Sequence, residues 1–340
     1  MSREPVGVIG AGAWGTALAN RIARNRHSSL LWLRDRELAA EIEKQRENRK
    51  ALPGLKLDRR LKVTTDLVEL ADSCRLMLVA LPAVALRDVM RRLGDHLSGD
   101  RIVLHATKGL EHPSGARMSE VIRAETCVRQ IGALSGPNLA SEVARGLPIA
   151  TVVASPYRNA IEEVREALAA KDFLVFGTGD LVGVELAGAM ASAASVACGL
   201  IDSQGASRNL HAMLIAECLR EMRRLGRRFD TDRRTFSGLS GVGDLIVSCS
   251  PEAGADYELG LQLGEGGRRT AGLSRTLQAS EGAATALAVR KLGRRHGVEL
   301  PMFESLCRVI EGKSRPKSLL DRMLSSRRVR EGDPRPGKVR

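Results

Sequence analysis

The chain has 340 residues, 43% of them hydrophobic, and a formal net charge of +13. That is long enough for two domains with substantial cores, and too apolar to read as disordered. Six scattered cysteines without C-x-x-C spacing argue against a zinc site or a disulfide framework and suit a reducing cytoplasm, while aromatics at 3% give nucleic acid no stacking platform.

In chain order, Val6-Gly7-Val8-Ile9 is a short apolar run that reads as a buried strand. It leads directly into Gly10-Ala11-Gly12-Ala13-Trp14-Gly15 and an alanine-rich helix. The strand starts so near the N-terminus that no signal peptide is expected. A bare G-x-G-x-x-G is weak, but between a strand and a helix it predicts a dinucleotide site. Gly10 permits the turn, Gly12 lets the backbone approach a pyrophosphate, and Gly15 lets helix and strand pack closely. The helix N-terminus offers unpaired N–H groups to the anion.

A second strand at Leu30-Leu31-Trp32-Leu33 ends in Arg34-Asp35-Arg36, about where such a domain reads the adenosine ribose. The two arginines favour NADP, and Asp35 leaves NAD open. Further strands are predicted at 76–81, 102–105 and 149–153, with helices over 84–93 and 118–125, which together predict a parallel sheet covered on both faces. Lys108 follows one of these strands and precedes a glycine, placing its ammonium at the carboxyl edge of the sheet. From about Gly179 the periodicity becomes helical, over 181–201, 210–225 and 281–292. The longest uncharged run, Leu186 to Ile201, is too short and too rich in small residues for a membrane span and reads as a buried helix. Asp244 follows the glycine-rich Gly241-Val242-Gly243, either to approach a ligand or to cap the next helix. The last thirty residues hold ten Lys and Arg against four Asp and Glu, so a net +6 sits in a tail expected to be disordered. The expected fold is α/β. A Rossmann-type doubly wound NAD(P)-binding domain spans 1–178, an all-helical substrate domain 179–325, and the basic tail 326–340. No specific nucleic-acid partner is expected.

Several segments then point one way. Leu52-Pro53-Gly54, Thr107-Lys108-Gly109-Leu110-Glu111, and Leu134-Ser135-Gly136-Pro137-Asn138-Leu139-Ala140 occur in that order. Val184-Glu185-Leu186, the stretch from Thr235 through Ser240-Gly241-Val242-Gly243-Asp244-Leu245, Ser280-Glu281-Gly282 and Val298-Glu299-Leu300-Pro301-Met302 follow. From Val6 to about Arg322 the chain resembles the bacterial NAD(P)-dependent sn-glycerol-3-phosphate dehydrogenases. The resemblance implies reversible reduction of dihydroxyacetone phosphate to glycerol 3-phosphate for phospholipid synthesis, in a cytoplasmic protein; a homodimer is compatible with it. It implies NADP or NAD held around Gly10, Gly12, Ala13, Trp14, Gly15, Arg34, Lys108, Ala140 and Glu281, and no metal. It places the substrate near Lys108, Gly136, Asn138 and Asp244.

The departures from that pattern are informative. Where the family carries its catalytic lysine followed by asparagine, this chain has Ala191 and Ser192; where it carries Ser-Arg-Asn, it has Gly254-Ala255-Asp256. An arginine of the family aligns with Glu217. The changes share one sign and remove about five units of positive charge. A phosphate ester carries nearly two negative charges. No catalytic residue is therefore assigned. The alternatives are an NAD(P)-dependent oxidoreductase acting on a non-phosphorylated substrate and a non-catalytic NAD(P)-binding paralogue. Arg208, His211 and Arg220 lie nearby in sequence as compensating groups, and His211 could protonate an alkoxide if it faces the cleft.

Overall fold

The computed structural model describes residues 4–265 and 280–325. Its first part alternates strand and helix: β1 (Val6–Ile9), α1 (Ala13–Arg24), β2 (Ser29–Trp32), α2 (Arg36–Gln45), β3 (Leu61–Thr64), α3 (Leu67–Ser73), β4 (Leu76–Val79) and α4 (Ala83–Gly94). It continues with β5 (Ile102–His105), α5 (Met118–Glu125), β6 (Gln130–Ser135), α6 (Ala140–Arg145), β7 (Ile149–Ala154), α7 (Arg158–Leu168) and β8 (Phe173–Thr178). The strands form one sheet in the order β3-β2-β1-β4-β5-β6-β7-β8. Val8 pairs with Leu31 on one side and Leu78 on the other. All residues of β1, β2, β4 and β5 are buried, because helices cover both faces. Leu18 and Ile22 of α1 pack on one face with Val164 and Leu168 of α7. Leu86 and Met90 of α4 pack on the other with Ile122 of α5.

The expected all-parallel sheet needs one correction. β6 and β7 are antiparallel, with Leu134 opposite Val153. Only the six-residue α6 separates them. A helix that short spans about 9 Å, too little to carry the chain back to the far end of the sheet for a parallel return.

Beyond β8 every described element is helical. α8 (Leu181–Asp202) is followed by α9 (Arg208–Gly226), α10 (Arg233–Ser237), a π-turn over Leu239–Gly243, α11 (Asp244–Ser248), α12 (Ala255–Gly264), α13 (Glu281–Arg295), α14 (Pro301–Ile310) and α15 (Ser318–Ser325). α8 is long and apolar enough to cross a membrane, yet its apolar window is wholly buried inside the protein. Its small residues let α12 lie against it backbone to backbone. A Cβ on Gly199 would stand 2.0 Å from the Tyr257 carbonyl oxygen, and one on Gly260 would stand 2.2 Å from that of Val196. The expected basic tail, 326–340, lies outside the described residues.

The sheet and the helices are joined by a buried polar knot. Glu185 of α8 lies 3.0 Å from His105 Nε2 and accepts from Arg117 Nη1 (2.8 Å), the Ser119 amide (2.8 Å) and the Ser119 hydroxyl (2.7 Å). Burial opposes its ionisation, but these partners win and hold its carboxyl below the ordinary range. The knot fixes α8 against the end of β5, where Lys108 emerges.

Candidate active site

The glycine-rich turn has the shape its sequence requires. Gly10 has φ +111°, and a Cβ there would meet the Ala80 carbonyl oxygen at 2.4 Å. A Cβ on Gly15 would stand 1.8 Å from the Gly10 oxygen. One on Gly12 would meet nothing within 4 Å. Gly10 and Gly15 are therefore glycine for the fold, while Gly12 borders open space at the N-terminus of α1, as a pyrophosphate site needs. Asn48 braces the turn from within, donating to the Ala11 carbonyl (2.9 Å) and Thr16 Oγ1 (2.8 Å). At the end of β2, Asp35 is the N-cap of α2, its Oδ1 accepting from the Glu37 and Leu38 amides at 3.1 Å each. Arg34 and Arg36 are exposed, with no hydrogen bond or ion pair among the described residues. The acid of this trio is occupied by the helix, and its two guanidinium groups are open to solvent.

A cleft of about 250 Å³ opens between this turn and the helices, lined by Trp14, Lys108, Asn138, Ser192, Asp256 and Glu281 among others. Lys108 Nζ donates to the Gly136 carbonyl (3.0 Å) and to Asp244 Oδ1 (2.7 Å). Asp244 is fully buried at the start of α11 and also accepts from Ser248 Oγ at 3.0 Å. It makes no cap; it pairs with lysine. Burial raises its pKa, and Lys108 acts against that rise. The Asn138 amide presents both Nδ2 and Oδ1, buried and without a partner, beside the same cleft. Buried polar atoms are seldom left unpaired in a native fold, so this amide is a candidate to bond whatever enters the cleft.

The helical side of the cleft comes from α8, α12 and α13. Glu281, the first residue of α13, reaches across to the sheet domain, where its Oε1 accepts the Ala83 amide of α4 at 2.7 Å. Burial pushes its pKa up to about 7, with Asp256 adding to the rise and Lys108 opposing it. Asp256 accepts from Ser192 Oγ (2.5 Å), Ser280 Oγ (2.8 Å) and the Gly282 amide (2.9 Å), tying α8, α12 and α13 together. Ser195, one turn beyond Ser192, lines the cleft with a buried, unpartnered hydroxyl.

Of the residues expected from sequence, Trp14, Lys108, Asn138 and Glu281 meet on this lining, with Gly136 and Asp244 directly behind Lys108. Ala140 opens α6 one residue past the lining residue Leu139, and Arg34 lies off the lining. Ala191 is fully buried in the helical core, and Ala255 is exposed at the first position of α12. Glu217 is not on the lining; it pairs with Arg220 three residues on. The charge change inferred at that position is thus compensated locally and does not act in the cleft. His211 pairs with Asp202, which also accepts from the Tyr257 hydroxyl, and His211 is absent from the lining. Neither it nor Arg220 replaces the missing cation. Among the described residues that line the cleft, Lys108 is the one cation, against Asp256 and Glu281. Ser195 escaped the sequence reading. Its signal was a pair of serines, 192 and 195, sharing one face of an otherwise apolar helix.

Two family models match this chain: one described as NAD-dependent glycerol-3-phosphate dehydrogenase N-terminus, over residues 5–161, and one described as its C-terminus, over 180–321. The glycerol-3-phosphate dehydrogenase (NAD(P)+) of Teredinibacter turnerae is 36% identical over 309 residues, covering 91% of each chain. That of Syntrophotalea carbinolica is 36% identical, over 94% of this chain and 98% of its own. The crystal structure of glycerol-3-phosphate dehydrogenase from Coxiella burnetii superposes with a TM-score of 0.89 at 29% identity, covering 95% of this chain and 99% of that one.

Proposed function

Because the chain belongs to the NAD-dependent glycerol-3-phosphate dehydrogenase family, we propose that it reduces dihydroxyacetone phosphate to sn-glycerol 3-phosphate, in the cytoplasm, for phospholipid synthesis. The cofactor is NAD or NADP. The observation that carries the reading is a single cleft whose lining brings together Trp14 of the glycine turn, Lys108 with Asp244 paired behind it, and the unpartnered Asn138 amide. The turn from Gly10 to Gly15 would hold the pyrophosphate, with Ala13 and Trp14 inside it. Arg34 would meet a 2′-phosphate on the adenosine ribose, and Ala140 and Glu281 would lie along the nicotinamide half. When bound, the reduced nicotinamide supplies the hydride for the substrate carbonyl carbon.

The chain's own residues position the ketone and hold a proton for its oxygen. An ammonium has three N–H donors. Lys108 gives two of them to Gly136 and Asp244, which leaves the third for a substrate oxygen. Asp244 stabilises the charged ammonium and fixes its direction. With alanine at 191, Lys108 is the proton donor on this side of the cleft. Losing a positioned general acid costs about 10²–10⁴ in rate. Turnover of dihydroxyacetone phosphate is expected to be slower by that order than in a relative bearing the lysine. Ala191→Lys with Ala255→Arg is expected to restore part of the difference. Steady-state oxidation of NADPH by the purified protein is the test, and turnover at the ordinary rate of a lysine-bearing relative defeats the account of the missing group. Binding of NADPH without turnover of this or any other carbonyl compound defeats the enzymatic reading itself. All six cysteines are free, which suits the cytoplasmic placement. Sedimentation decides whether two copies associate.

A further inference from the structure

The order of the strands fixes which way a dinucleotide must lie. With its pyrophosphate on the turn after β1 and its adenosine ribose at the end of β2, beside Arg34, its nicotinamide has to extend the other way, over the ends of β4 and β5. Glu281 stands there. Its Oε1 accepts the Ala83 amide, past the end of β4, at 2.7 Å. A Cβ on Gly109, past the end of β5, would stand 2.9 Å from the same oxygen. A carboxyl from the helical domain is thus set over both strand ends, partly accessible and on the lining of the cleft. Burial disfavours its ionisation most, Asp256 of α12 adds to this, and Lys108 opposes it, so that its pKa is pushed up to about 7. Arg87 of α4 is engaged by Glu111 and Glu125, and α8 brings only Ser192 and Ser195 to the cleft among its described residues.

We propose that Glu281 is a proton site linked to the oxidation state of the dinucleotide, protonated beside the neutral reduced ring and ionised beside the cationic oxidised ring. The inference rests on the cofactor placement and carbonyl reduction proposed above. A carboxylate is attracted to the oxidised ring, which carries one positive charge, and gains nothing from the uncharged reduced ring. In the reduction the carbonyl carbon gains the hydride, its oxygen gains a proton from Lys108, and the proton that leaves Glu281 restores the ammonium. The ketone is reduced to an alcohol and the dinucleotide is oxidised, with the proton drawn from within the site. Lys108 is then not left neutral beside the Asp244 carboxylate, which is fully buried and would lose its partner. Solvent returns a proton to Glu281 once the oxidised dinucleotide has left.

The experiment measures the affinity of the full-length protein for NADP+ and NADPH against pH. The ratio of Kd for NADP+ to Kd for NADPH is expected to fall about fivefold between roughly pH 6 and pH 8, as the carboxyl ionises. Taking the ratio cancels the titration of the 2′-phosphate, which both forms carry. Glu221, the other carboxyl raised to about 7, accepts the Met302 and Phe303 amides away from the cleft and affects both forms alike. Glu281→Gln keeps an oxygen for the Ala83 amide and is expected to make the ratio independent of pH. Calorimetry in buffers of different ionisation enthalpy is expected to count a net release of protons when the unsubstituted protein binds NADP+, and no release with NADPH. A ratio that does not change with pH, or one that still falls in the Gln variant, overturns the assignment. Should that variant bind neither form, the proton count decides, and equal release with both forms overturns it. Linkage without turnover of dihydroxyacetone phosphate overturns the proposed reduction and leaves the linkage standing, while turnover without linkage does the reverse. Failure of the unsubstituted protein to bind either dinucleotide overturns both.

Discussion

The two ends of the cleft are built in different ways. The nucleotide end is local: Gly10, Gly12 and Gly15 lie within six residues of one another, and each geometric demand on them is met by chain close by or on the next strand. The substrate end is assembled from β5, β6, α8, α11, α12 and α13, with Lys108 reaching Asp244 across 136 positions of sequence and Ser192 reaching Asp256 across 64. A locally built site can persist while a long-range one is rebuilt around it. The first is constrained by backbone sterics, which few side chains can satisfy. The second is constrained by pairing, which any complementary set satisfies. Ser192 with Asp256 is such a set, an internally satisfied replacement that keeps three helices together without a cation.

The contrast is open to attack at both ends. The largest effect is expected from Lys108→Met, which removes the proton donor and should cut kcat by about 10² or more. It also strands the buried Asp244 carboxylate, so the variant should unfold at lower denaturant. The double variant Lys108→Met/Asp244→Asn is expected to recover that stability and none of the rate, which separates chemistry from packing. Recovery of the rate by the double variant would show that Lys108 is only a support.

At the other end, Arg34→Ala is expected to weaken NADPH binding by about 1.5–3 kcal/mol, the worth of a hydrogen bond to a charged group, and to leave NADH binding nearly unchanged. Equal losses for both dinucleotides, measured by fluorescence titration, would contradict a role at the 2′-phosphate and return the ribose to Asp35.

The smallest effect concerns pH. Glu281 joins the two ends, and burial raises its pKa from 4.5 to about 7. An acid whose folded pKa is raised contributes stability that is complete below its unfolded pKa and is lost as pH rises through the folded value. Stability is therefore expected to fall between about pH 5 and pH 8, with Glu221, also raised to about 7 by burial, acting in the same direction. Glu281→Gln should flatten that fall by roughly 2–4 °C in Tm. An unchanged pH profile would mean that the carboxyl is already ionised in the fold.

The sequence was most legible where one element carries the whole signal. The β1 turn, the uniformly apolar β4 and β5, and the long helices α8 and α9 could each be read from a single window. β3 and β8 were not so legible. Lys62 interrupts β3. β8 does carry the apolar run Phe173-Leu174-Val175-Phe176 but turns Leu174 and Phe176 outward at the sheet edge, so its pattern gave no alternation to read. The reversal between β6 and β7 was hidden as well, because a period-two pattern carries no information about strand direction. In the site, Lys108 and Glu281 could be singled out one at a time. That Asp244 pairs with Lys108 rather than capping α11, and that Glu217 and His211 are engaged away from the cleft by Arg220 and Asp202, depended on partners distant in the chain or on which face of a helix turns inward.

What the sequence determined alone was the α/β order, the nucleotide turn and the absence of lysine and arginine at 191 and 255, since these are properties of residues and their immediate neighbours. The tertiary structure decided which charges share the cleft and which polar atoms are left without partners. Electrostatic and hydrogen-bond energies depend on distance and burial, and a linear chain records neither.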